Sequence, residues 1–322
     1  MIIDLSTVEL PKYLGSLDAP LDFELFWKKA FLEIDAAVQN IEPTFVKVNE
    51  HLKNVDCYEV ILSGYRNAKL SGKLLKPKEP KNRTPAIVVF HGYGDSSPEW
   101  FSLYPYAANG FTVLALDIRG QGGFSQDNSN FYRNTFIGQI VRGIEEGPEG
   151  LFLRKVYLDC ALAVRFLFNL DWVDEDRVTV LGASQGGGLA ISTAGLIPEI
   201  YQVISIYPFL SDFKRVWEIG AANEAYSGIT EYFRKYDPQH RDQELFFSTL
   251  NYVDVQHFAP KIKAEVLFIV ALKDNICPPS TQYAIYNKIN SKKEIITYPD
   301  FGHEPLKNLN DEILSFLILK EN

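Results

Sequence analysis

Cysteine is scarce in this chain. Cys57, Cys160 and Cys277 are the three in 322 residues, and no two form a C-x-x-C pattern. Three thiols cannot all pair within one chain, and this spacing suggests neither a disulfide framework nor a zinc site. Long apolar runs are also missing. No stretch approaches the roughly 18 residues of a membrane span, so no membrane partner is expected. Positive charge is not in excess: the formal net charge is −9. No basic stripe appears, which argues against a nucleic-acid partner. The opening Met-Ile-Ile-Asp-Leu-Ser has neither the basic nor the long apolar segment of a secretory leader. A cytoplasmic location is the resulting expectation. Internal repeats, low-complexity tracts and a convincing linker are lacking too. One domain over 1–322 is therefore expected, with an N-terminal helical extension over 1–40 and an insertion over 208–252.

What is present suits a large core: 46% of the residues are apolar and 23% charged. Residues 1–21, with Pro11, Gly15 and Pro20, read as irregular. Residues 22–38 carry Phe23, Phe26, Trp27, Ala30, Phe31 and Ile34 on one helical stripe. Alternation after Phe45, Tyr58 and Lys69 predicts antiparallel strands, and 76–83 a charged loop. The pattern then changes to alternating buried strand and helix, as in a parallel sheet. Strands are expected at Pro85–Phe90, Phe111–Leu116, Val178–Val180, Tyr201–Tyr207, Glu265–Ala271 and Lys293–Tyr298. Helices are expected at Trp100–Ala108, Leu151–Asn169, Pro279–Ile289 and Asn308–Leu319. Residues 126–150 read as a loop. The aromatic-rich stretch 208–252 interrupts the rhythm, as a lid or part of the pocket or as ordinary core and subunit-interface aromatics.

The stretch around which the rest is organised is Val178-Thr-Val-Leu-Gly-Ala-Ser-Gln-Gly-Gly-Gly188. A β-branched run leads into G-x-S-x-G, and helical spacing follows. That order describes the nucleophile elbow of an α/β-hydrolase. The serine must adopt a strained backbone conformation to present its hydroxyl, and its neighbours must be small because strand and helix crowd there. The N–H of Gln185 opens the helix and is free to stabilise an oxyanion. Taken alone, such a motif also fits a glycine-rich turn or a phosphate loop.

A serine hydroxyl needs a base to become a nucleophile, and in this fold the chain order is Ser, acid, His. His240, His257 and His303 follow Ser184. His303 alone lies in the loop after the last expected strand. Asp274 sits just past the preceding strand and is favoured as the acid over Asp300. The second oxyanion donor is expected in His91-Gly-Tyr-Gly94, with Tyr93 chosen and His91 read as fixing the loop. Tyr93, Phe209 and Ile276 are candidate walls of an acyl pocket.

With these residues in hand, the chain resembles the acetyl xylan esterase and cephalosporin C deacetylase family of carbohydrate esterases. The resemblance rests on Arg119-Gly120-Gln121, Gly182-Ala-Ser-Gln-Gly186, His303-Glu304, Val156-Tyr-Leu-Asp159, Asp176-Arg-Val, Asp274-Asn-Ile-Cys-Pro-Pro279 and Pro20-Leu-Asp-Phe-Glu-Leu-Phe-Trp27. It covers nearly the whole chain. It implies an α/β-hydrolase fold, a Ser184–Asp274–His303 triad and an oxyanion hole from the N–H groups of Tyr93 and Gln185. Arg119 and Gln121 would be structural. The implied activity removes acetyl groups from short xylo-oligosaccharides, other acetylated sugars and cephalosporin C, with no metal or cofactor, in a ring-shaped homohexamer. The rival readings are an acyltransferase, a serine peptidase, for whose usual propeller the chain is too short, and a binding protein with an inactive triad.

Overall fold

The computed structural model describes residues 4–38, 42–48, 52–132 and 138–318. Positions 1–3 and 39–40 of the expected extension, 133–137 of the expected loop and Leu319 of the last expected helix lie outside the described residues.

The apolar stripe near the N-terminus forms a helix, α1 (Phe23–Val38), and the alternating segments form β1 (Thr44–Val48), β2 (Val55–Ser63) and β3 (Lys69–Pro77). Strand and helix then alternate as β4 (Thr84–Phe90), α2 (Trp100–Ala108), β5 (Thr112–Leu116), α3 (Phe152–Phe168), β6 (Val173–Ala183), α4 (Gln185–Leu196) and β7 (Gln202–Ile206). Three helices occupy the expected insertion: α5 (Phe213–Glu218), α6 (Ser227–Tyr236) and α7 (Gln243–Leu250). The rhythm resumes with β8 (Glu265–Ala271), α8 (Pro279–Tyr286), β9 (Lys293–Tyr298) and α9 (Leu309–Ile318). Among the described residues, nine strands form one sheet in the order β1-β2-β3-β5-β4-β6-β7-β8-β9. β1, β2, β3 and β5 pair antiparallel, and β5, β4, β6, β7, β8 and β9 pair parallel.

A parallel sheet is covered on both faces, so its strands are apolar at consecutive positions. In β4, Ala86, Val88 and Phe90 join one core with Trp27 of α1, Val156 of α3 and Leu189 of α4. The alternate residues Ile87 and Val89 join a second core with Leu103 of α2 and Ile313 of α9. β8 divides the same way, with Phe268 on the first face and Leu267 on the second. This is the mostly parallel, helix-flanked sheet of an α/β-hydrolase fold.

The N-terminal helix packs over α3. Trp27 stacks on Tyr157 with centroids 5.8 Å apart and meets Phe258 edge-on at 5.0 Å. Its indole N–H donates to the Tyr252 carbonyl at 2.9 Å, so burial leaves no unmet donor. The aromatics of the insertion also pack together: the Phe233 ring lies 4.8 Å from both Trp217 and Phe246. Core is thus the reading that applies to most of them. The expected loop over 126–150 holds one 3-10 turn, Ile144–Glu146, among its described residues.

Because β4, β6, β7, β8 and β9 run the same way, the loops after them gather at one edge of the sheet. Ser184, Tyr93, the segment after β7, Asp274 and His303 all belong to those loops.

Candidate active site

The elbow explains its own glycines. Ser184 caps the start of α4 with φ 56° and ψ −120°, a left-handed conformation that costs a non-glycine residue about 1–3 kcal/mol. A Cβ on Gly182 would lie 2.3 Å from the Gly186 backbone. One on Gly186 would lie 2.0 Å from the Phe90 carbonyl oxygen, and one on Gly188 2.2 Å from that of Phe209. Strand, helix and neighbouring loops therefore meet backbone to backbone. Backbone bonds hold the serine in this conformation. Its N–H donates to the Ile206 carbonyl at 2.9 Å, and its carbonyl accepts from Phe209 at 2.9 Å and Gly188 at 3.1 Å.

Ser184 Oγ lies 3.0 Å from His303 Nε2, and His303 Nδ1 lies 2.8 Å from Asp274 Oδ2. The carboxylate accepts from Nδ1–H, which leaves Nε2 as the acceptor facing the serine. Asp274 is itself fixed. Its Oδ1 accepts from the N–H groups of Ile276 at 2.9 Å and Cys277 at 2.8 Å. The acid side chain has no exposed surface, whereas the His303 side chain is 21% exposed. A buried orienting acid, a reachable base and a strained serine can transfer a proton and attack a carbonyl.

The Gln185 N–H starts α4, and the Tyr93 N–H lies in the loop after β4. Neither has an acceptor among the described residues. Gln121 joins the two loops. Its Oε1 accepts from the Gly94 N–H at 2.9 Å. Its side-chain amide also pairs reciprocally with that of Gln185, at 2.8 and 3.0 Å. The Tyr93 hydroxyl accepts from the Gln139 N–H at 2.6 Å, and the Gln139 side chain donates to the Gly120 carbonyl. Burial pushes the Tyr93 phenol up, which keeps it neutral.

The remaining sequence candidates fall into place individually. Phe209 is fully buried, with its ring 5.6 Å from Tyr93 and 4.3 Å from Tyr226, so it backs Tyr93 rather than facing open space. Ile276 stays half-buried in the acid loop. Arg119 is buried, forks onto Asp159 and donates to the Tyr65 carbonyl. His91 accepts from the Ile118 N–H through Nε2 at 2.9 Å and donates Nδ1–H to the Gly92 carbonyl at 2.7 Å. Burial lowers its basicity, which suits this neutral form. His257 is buried against Asn251 with its pKa lowered to about 3, chiefly by burial. His240 packs on Trp217 and Phe233. Asp300 is exposed and pairs with Lys273 at 2.7 Å, whereas the imidazole Nδ1 bonds to Asp274.

Sequence reasoning gave no role here to Gln139, Tyr207 or the Cys277 thiol. The thiol touches the Ser184 side chain, and burial pushes its pKa up, so it remains protonated. Asp274, Cys277 and His303 offer donor atoms within 4.8 Å of one another, close enough for a metal among the described residues. In this arrangement the carboxylate and the imidazole are already committed to each other, to Ser184 and to backbone N–H groups.

The chain is similar to known proteins over most of its length. Acetyl Xylan Esterase 1 from Thermoanaerobacterium sp. JW/SL YS485 is 40% identical and superposes with a TM-score of 0.96, over 99% of this chain and 100% of that one. The acetyl xylan esterase from Paenibacillus sp. R4 is 34% identical with a TM-score of 0.93, over 97% and 99%. Acetyl esterase Axe7A of Xylanibacter ruminicola is 30% identical over 88% of this chain, which spans 63% of that relative's length. Pyrococcus horikoshii acylaminoacyl peptidase shares the fold at 16% identity, with a TM-score of 0.55 over 88% of this chain and 41% of that one. The acetyl xylan esterase family model matches residues 1–320, and the chain belongs to that family.

Proposed function

We propose that the protein is a serine esterase that removes acetyl groups from small acetylated sugars, short xylo-oligosaccharides foremost. The observation that carries this reading is the bonded series Asp274 Oδ2, His303 Nδ1, His303 Nε2 and Ser184 Oγ, with steps of 2.8 and 3.0 Å, in a member of the acetyl xylan esterase family. His303 takes the hydroxyl proton as Ser184 Oγ attacks the acetyl carbonyl. The N–H groups of Tyr93 and Gln185 receive the oxyanion. The collapsing intermediate expels the sugar oxygen, which takes the proton from His303. Water then repeats the sequence on the acetyl-enzyme. Asp274 keeps Nδ1 protonated throughout and stabilises the imidazolium.

Cephalosporin C as an additional substrate, a cytoplasmic setting and a homohexamer belong to the same proposal, through the family resemblance. Sedimentation at micromolar concentration tests the assembly directly. The substrate reading is tested with p-nitrophenyl acetate, butyrate and octanoate beside acetylated xylo-oligosaccharides. Rates concentrated on acetate and reduced at least about 10⁴-fold in Ser184→Ala are expected. A preference for octanoate would contradict the substrate, and full activity in Ser184→Ala would contradict the nucleophile. Faster transfer to an added alcohol than to water would favour the acyltransferase reading.

A further inference from the structure

We infer that Tyr207 is a positioning residue for the base: its ring braces the His303 imidazole and favours the protonated ring during acyl transfer. This rests on the reading of His303 as the catalytic base.

Tyr207 directly follows β7 and holds φ at 31°, which is strained for a tyrosine. Its neighbourhood fixes it there. The Tyr207 N–H donates to the Ile269 carbonyl at 2.8 Å, extending the β7–β8 pairing. Two residues on, the Phe209 N–H donates to the Ser184 carbonyl at 2.9 Å. The strained tyrosine is thus tied to β8 on one side and to the elbow on the other. Its ring centroid lies 4.7 Å from that of His303, with the planes tilted by 54°.

The edges of the imidazole are already used: Nδ1 by Asp274 and Nε2 by Ser184. What remains for contact is its two faces and its two C–H edges. The Tyr207 ring, 4.7 Å away between centroids, limits swinging about the side-chain torsions. It also places a π-system within the roughly 6 Å over which aromatic rings attract a cation. The attraction appears only when His303 carries the second proton, as it does while the oxyanion exists. That is differential stabilisation, which raises kcat.

The charged groups nearby are engaged elsewhere. Asp274 acts through the Nδ1 edge. Burial first, then Asp274 and Cys277, push the Tyr207 phenol up, so it stays neutral. Glu304 turns back to the Gly302 N–H at 3.0 Å. Lys273 and Asp300 neutralise each other on the exposed side of the loop.

The experiment compares Tyr207→Leu and Tyr207→Phe by kcat and KM against pH, with thermal melts as a check on folding. Tyr207→Leu is expected to lower kcat about fivefold to tenfold and to leave KM within about twofold. It should move the acid limb of the profile about half a pH unit lower, because a less stabilised imidazolium loses its proton more easily. Tyr207→Phe should restore both. An unmoved acid limb in Tyr207→Leu, or a Phe variant as impaired as the Leu variant, would overturn the inference. If Tyr207→Leu does not fold, Tyr207→Met replaces it, with bulk kept and the π-face removed. NMR titration of His303 in a Ser184→Ala background gives a readout independent of turnover. Active Ser184→Ala and His303→Ala enzymes would overturn the triad. Inactive ones with a His303 titration indifferent to the Tyr207→Leu change would overturn only the brace.

Discussion

The two candidate oxyanion donors are built in different ways. Gln185 begins a helix whose entry is set by backbone crowding, with no room for a Cβ at Gly182, Gly186 or Gly188. Tyr93 sits in a loop after β4 that is held from outside, by Gln121 at Gly94 and by Gln139 at its own hydroxyl. One half is rigid through its own chain geometry and the other through borrowed hydrogen bonds. Gln121 bonds to both halves, in addition to the direct pairing of β4 with β6 beneath them. The lesson is that an oxyanion hole needs both kinds of support, and they fail differently when broken.

The largest effect is expected on the helical half. Gly186→Ala must push the Phe90 strand end away from α4, because its Cβ would meet the Phe90 carbonyl oxygen at 2.0 Å. A loss of about 3 kcal/mol or more in unfolding free energy is predicted, read by urea denaturation, with activity falling alongside. Next comes Gln121→Ala, which frees the loop half while leaving the elbow in place. It is predicted to reduce kcat by about tenfold to a hundredfold with little change in KM, because the hole acts mainly in the transition state. Gln185→Ala keeps the N–H but removes one end of the amide pair. Its kcat is predicted to fall by less than that of Gln121→Ala, and the reverse order would contradict the role given to Gln121. The smallest effect belongs to Tyr93→Phe, which deletes only the acceptor of the Gln139 N–H. A loss of about 1 kcal/mol in stability and a few-fold lower kcat are predicted by melting and by initial rates.

The same contrast explains what the sequence could reveal. The elbow was legible because its constraints are local: small residues at fixed offsets around Ser184, between a β-branched run and a helix. His303 and Asp274 were legible by position, since each follows a strand in the expected order. The loop half is legible as a location with Tyr93 as its donor, and the resemblance adds Gln121 as structural, but not what either bonds to. Nothing near Tyr93 in the chain announces Gln139, which arrives from 46 residues away. The buried Arg119–Asp159 pair is likewise tertiary, separated by 40 residues. Phe209 illustrates the limit for apolar residues: proximity to the site was readable, but not that Tyr93 stands in front of it. The early part of β6 was missed because Asp174-Glu-Asp-Arg177 looks like a turn, yet Val173 pairs with Thr84 across an irregular register. Tertiary pairing there outweighed local propensity.

The measurement that tests the central claim most directly is rapid-quench mass spectrometry during turnover of p-nitrophenyl acetate. One acetyl group on the peptide containing Ser184, formed and lost at the rate of turnover, is the predicted result. Turnover with no acetylated peptide under conditions where deacylation limits the rate, or with the acetyl group on another residue, would contradict it.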